Sequence, residues 1–164
     1  MVNVNLIIRR ALAVVLLSML SLGFLSISAA PKKQVQKIKV ACVGNSITYG
    51  TGIEDREHFS YPMQLQKMLG EKYQVGNFGK PGATLLNHGH RPYMQQEEFK
   101  EAMAFKGDIA VIHLGINDTD PRNWPNYRDE FVKDYLSLMD SLRSANPKVR
   151  FILARMTPIA DRHP

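Results

Sequence analysis

The chain has 164 residues, 45% of them hydrophobic and 22% charged, which is enough for one soluble domain with a core. Its net charge of +6 shows no basic stripe interleaved with aromatics, so nothing in it suggests a nucleic-acid partner. The single cysteine, Cys42, cannot form an intramolecular disulfide and falls in an apolar run that suits a small buried side chain.

The N-terminus carries Arg9-Arg10, an apolar stretch from Ala11 to Leu25 and the small residues "SISAA" before Pro31. This is the pattern of a secretory signal peptide over residues 1–30, and it implies a secreted or periplasmic protein with no membrane contact after cleavage. Without those two arginines the balance is 19 basic against 15 acidic residues, a mild excess. "IKVACV" (Ile38 to Val43) then reads as a strand covered on both faces, broken by Gly44. Tyr61 to Leu69 has helical spacing, with Pro62 near its start and Gly70 as a stop. Tyr73 to Phe78 reads as a second strand and Glu97 to Phe105 as a helix. Ile109 to Leu114 is the clearest buried strand and ends at Gly115. The spacing predicts a long helix from Tyr127 to about Ser144, capped by Asn126, with Phe131, Tyr135, Leu138, Met139 and Leu142 on one face. Arg150 to Met156 reads as a fourth strand.

Alternating strands and helices argue for an α/β fold with a parallel sheet, whose ligands bind at the carboxyl ends of the strands. Three loops at that edge hold "GNSITYG", "GKPGAT" and "GINDTD". Taken alone, Ser46 reads as a helix cap, Gly82 as a loop glycine and Asn117 as an Asx-turn residue. Taken as chemistry, they are a nucleophile with its own N–H, a glycine N–H and a side-chain amide, which is the donor set that a developing oxyanion requires. Asp118 reads as a brace for its loop.

Together these stretches resemble the SGNH hydrolase family, the GDSL-type esterases and lipases. "VGNSIT" is similar to its first block, with Asn45-Ser46 where the family usually has Asp-Ser. "NFGKPGAT" is similar to the second block and "HLGINDT" to the third. The resemblance implies a flavodoxin-like three-layer sandwich and acyl-ester hydrolysis without metal or cofactor. It also implies Ser46 as nucleophile, Gly82 and Asn117 as oxyanion donors, and Asn45 and Asp118 beside the substrate. "NHGHRPY" and "HLGINDTDPRNWPNYRDEF" are similar to secreted bacterial carbohydrate esterases of the sialate O-acetylesterase kind. There His88, His90, Tyr93, Arg122, Trp124 and Tyr127 suit a sugar or a carboxylate. The family's Asp-x-x-His block, which carries the base, has no counterpart. "ADRHP" has Asp161 and His163 one residue too close and follows strand four rather than strand five. His58, His88, His90 and His113 remain, and His113 lies within a strand. The expectation is a truncated esterase domain over residues 31–164, with four strands present and the fifth strand, final helix and base histidine lying beyond Pro164. Its substrate would be a small-molecule or glycan ester. Two rivals stay open: a lysophospholipase or thioesterase on the same fold, and a non-catalytic glycan-binding remnant.

Overall fold

The computed structural model describes residues 36–156; the signal-peptide reading and the Asp161/His163 pair lie outside them. Four parallel strands form the sheet: β1 (Ile38–Gly44), β2 (Tyr73–Gly79), β3 (Ile109–His113) and β4 (Arg150–Leu153). Their spatial order is β2-β1-β3-β4. Helices between them are α1 (Ser46–Tyr49), α2 (Arg56–Phe59), α3 (Tyr61–Leu69), α4 (Glu97–Phe105), α5 (Trp124–Tyr127) and α6 (Phe131–Ala145). This is the expected α/β sandwich.

Alternation along the strands sorts side chains to two faces. Ala41, Val43, Ala110 and Ile112 point to one, where Phe99, Met103, Leu138 and Leu142 of α4 and α6 cover them. Val40, Cys42 and Val75 point to the other, under Tyr61, Leu65 and Leu69 of α3. Burial of each large aliphatic chain contributes roughly 1.5–3 kcal/mol. It also pushes the Cys42 thiol up to about 12, so Cys42 is a packing residue. At the outer strand the cover thins: Ile152 and Leu153 of β4 are 54% and 52% exposed.

The long helix differs from its expected start. It begins at Phe131, not Tyr127. Pro125 opens a separate turn at Trp124, and Tyr127 leaves helical geometry at φ −128°, ψ 6°. Asn126 therefore caps nothing; its amide donates to the Arg122 carbonyl. The fourth strand is also shorter than expected and ends at Leu153.

β1 has β2 on one side and β3 on the other, so the chain reverses its winding direction there. The crevice at the carboxyl ends of these strands is where such sheets bind ligands. Ser46, Gly82 and Asn117 all follow strand ends that open onto it.

Candidate active site

Ser46 is the first residue of α1. Asn45 caps that turn, its Oδ1 accepting from Ile47 N at 3.0 Å. Ser46 is half-buried and its hydroxyl makes no hydrogen bond among the described residues. α1 lies against the ends of both β1 and β2. The absence of side chains at Gly44 and Gly79 permits this approach: a Cβ on Gly79 would overlap Tyr49 N, and one on Gly44 would overlap the Thr48 side chain.

Beyond β2 the chain turns through Pro81 and Gly82. Gly82 has φ +77°, a conformation that costs any other residue energy. Its N–H has no acceptor among the described residues. Beyond β3, residues Ile116–Thr119 form a 3₁₀ turn. Asn117 is half-buried there, and its Nδ2 donates one hydrogen to the Ala83 carbonyl at 2.8 Å. An amide nitrogen carries two hydrogens, so one remains for a ligand.

Asn45 and Asp118 do not line the site. Asn45 is 1% exposed and Asp118 0%. The Asp118 carboxylate accepts from Leu85 N at 2.9 Å and Leu86 N at 2.7 Å. It therefore ties the loop after β2 to the Asn117 turn and cannot touch a substrate. Burial raises its pKa, against the pull of those two N–H groups. The Asn45 Nδ2 is buried with no partner among the described residues.

The exposed histidines have their own partners. His88 Nδ1 lies 2.7 Å from Glu130 Oε2, with its ring centroid 5.6 Å from that of Tyr127. His58 pairs with Asp55 at 2.9 Å. His90 faces Asn123, which is 1% exposed. Asn123 Oδ1 accepts from His90 N at 3.0 Å, and its Nδ2 donates to the Asn117 carbonyl at 2.9 Å. These two bonds fix the amide's orientation, so Nδ2 also donates to His90 Nδ1, 3.0 Å away. None of these histidines bonds Ser46. Tyr93 is fully buried and donates to the Phe78 carbonyl at 2.7 Å, so it supports the loop from beneath. Among the described residues no cluster of three metal-ligating side chains is present.

Asn123 and Asp134 escaped the sequence reading. Asp134 is 5% exposed and accepts from both Asn87 N and Asn87 Nδ2, at 2.7 and 3.0 Å. It had a readable signal: it lies on the apolar face of its helix, between Phe131 and Leu138, where a charge needs a buried partner. Asn123 had none, being one more asparagine in a polar loop.

A model described as the GDSL-like Lipase/Acylhydrolase family matches residues 42–164. An acetylxylan esterase of Xylanibacter ruminicola is 49% identical over 114 residues, covering 70% of this chain but 23% of that protein. Among solved structures, AlinE4, an SGNH-hydrolase family esterase, superposes with TM-score 0.53 at 19% identity, over 72% of this chain and 58% of that one. A family two carbohydrate esterase from Cellvibrio japonicus gives 0.50 at 20% identity, over 77% and 44%. The chain thus spans less than a quarter of the acetylxylan esterase it matches.

Proposed function

The chain belongs to the GDSL-like lipase/acylhydrolase family, and from that premise we propose that it carries the nucleophile and oxyanion hole of a secreted esterase that removes O-acetyl groups from carbohydrate. One observation carries the reading: three loops on adjacent parallel strands bring to one sheet edge a serine hydroxyl and a glycine N–H without partners among the described residues, and a half-engaged amide. The acetylxylan esterase relative supports the acetyl group and the sugar; the sialate O-acetylesterase branch is a narrower form of the same reading.

Ser46 Oγ attacks the ester carbonyl. The oxyanion is held by Ser46 N–H, Gly82 N–H and the free hydrogen of Asn117 Nδ2. The histidine that takes the Ser46 proton is assigned to the residues outside the described ones, since none of His58, His88, His90 or His113 hydrogen-bonds Ser46 among the described residues. That proton passes to the leaving sugar oxygen, and water then releases acetate from Ser46 by the same route in reverse. Asn45 and Asp118 act by holding the loops.

The test is hydrolysis of nitrophenyl esters of increasing chain length by the full chain and its Ser46→Ala variant. Acetate is the preferred acyl group and Ser46→Ala lowers turnover by about 10⁶-fold. Near-normal turnover in Ser46→Ala overturns the assignment. A preference for acyl chains of about eight carbons or more replaces the acetylesterase with a lipase-type reading. Failure of the wild type to label with a fluorophosphonate probe favours a non-catalytic domain.

A further inference from the structure

Three cations around the carboxyl edge are already paired. Arg122 is held by Asp120, with Nε at 2.9 Å from one carboxylate oxygen and Nη2 at 2.8 Å from the other. Lys80 pairs with Glu98 at 3.0 Å. Arg56 pairs with Glu57 at 2.9 Å and lies 4.1 Å over the Tyr49 ring. Arg91 is exposed and has no carboxylate within ion-pair distance among the described residues. Arg122 thus already holds a carboxylate on its Nε/Nη2 edge, that of Asp120.

Arg91 is also a positioned side chain. Its carbonyl accepts from Thr84 N at 2.9 Å, and Thr84 bridges to Pro92 beside it. Its Nη1 donates to the Pro81 carbonyl at 3.0 Å. The side chain lies across Gly82: a Cβ there would meet Arg91 Nη1 at 3.1 Å and Cδ and Cζ at 3.7 Å. The guanidinium therefore occupies the space a side chain on the oxyanion glycine would fill. A guanidinium has five N–H donors in a planar fork that matches a carboxylate, and one of the five is engaged here.

We infer that Arg91 is an anion subsite beside Gly82, receiving the carboxylate of a sugar acid whose nearby hydroxyl bears the acyl group. The inference rests on the esterase reading and adds its substrate class: acylated acidic glycans, with uronic or sialic acid units, in preference to neutral ones.

Binding tests this without turnover. In a Ser46→Ala background, titration calorimetry compares an O-acetylated, glucuronate-substituted xylo-oligosaccharide with its uronamide, which differs only in lacking the charge. The acid binds about tenfold tighter, and the preference weakens with added salt. In Ser46→Ala/Arg91→Gln the preference falls to nearly onefold, and in Ser46→Ala/Arg91→Lys, which keeps the charge without the fork, it is intermediate. Equal affinity for acid and amide, a preference that persists in Arg91→Gln, or no binding of either sugar overturns the subsite. The esterase reading stands or falls separately, on Ser46-dependent hydrolysis of nitrophenyl acetate, which carries no carboxylate.

Discussion

Asn123→Ala separates positioning of the oxyanion turn from simple support of the fold. Asn123 makes three hydrogen bonds from a site that is 1% exposed: to His90 N, to His90 Nδ1 and to the Asn117 carbonyl. Each contributes about 1 kcal/mol net, and a buried group left without a partner costs about 1–3 kcal/mol. His90 N–H is the group left so, whereas the Asn117 carbonyl keeps the Asp120 N–H at 3.4 Å and loses only one of its two bonds. The expected loss is about 2–4 kcal/mol, within the roughly 5–15 kcal/mol stability of a domain, so the variant folds. For a domain of this size the melting temperature drops by about 10 °C. The Asn117 turn also loses its tether, and turnover falls about 10- to 100-fold, less than the roughly 100- to 1000-fold expected when a donor itself is removed. Circular dichroism melts and nitrophenyl acetate hydrolysis, the latter measured well below the variant's melting temperature, read the two effects apart; Asn117→Ala is the reference. A lowered melting temperature with wild-type kcat would refute the coupling. An unchanged melting temperature would refute the energetics.

Asp118 has a raised folded pKa, so it favours folding fully below about pH 4 and loses that contribution as pH rises through the raised value. Asp118→Asn cannot titrate; it unpairs one backbone N–H, costs about 1–3 kcal/mol, and flattens the acid side of the stability profile. A pH-independent gap between variant and wild type in denaturant titrations contradicts this. Gly79→Ala forces α1 away from β2, since the new methyl also meets Thr48 C and Tyr49 Cα at 2.7 Å. It destabilises by at least about 1–3 kcal/mol, and turnover falls further than the folded fraction accounts for; a melt and a rate on the same sample check it. Tyr93→Phe removes the 2.7 Å bond to the Phe78 carbonyl, lowering stability by about 1 kcal/mol in urea unfolding.

Strands β1 and β3 were legible because parallel strands buried on both faces read as continuous apolar runs, and these two end at or near Gly44 and Gly115. Helix α3 was legible from its proline start and glycine stop, and its bounds agree with the structure. Helix α6 was misjudged at its start because Tyr127 and Phe131 share a face in a helical count, although the chain breaks between them. Periodicity records which residues could share a face, and it is blind to a local dihedral. The same limit separates the candidate site residues. Ser46, Gly82 and Asn117 were readable because each sits a few residues past a strand end, and local sequence reports strand ends. Asn123 and Asp134 act on residues 33 and 47 positions away. No local pattern reports a partner that distant, and the exposure of Arg91 beside Gly82 is likewise a product of folding.

These long-range bonds explain how a 13-residue loop between β2 and the 3₁₀ turn at Tyr93–Gln95 holds one fixed geometry. A buried loop cannot leave its N–H groups unpaired, and outside a sheet it has no ladder to pair them. Here the N–H groups of Leu85 and Leu86 go to Asp118, that of Asn87 to Asp134 and that of His90 to Asn123. All three acceptors belong to the segment that follows β3, and Asn117 of that segment returns a bond to Ala83. The loop bearing Gly82 and the turn bearing Asn117 are thus one bonded unit. In such a unit the separation of Gly82 N–H from Asn117 Nδ2, the donors of the proposed oxyanion hole, is set by the side chains beneath them, so substitutions at Asp118 and Asn123 are expected to lower turnover without touching substrate.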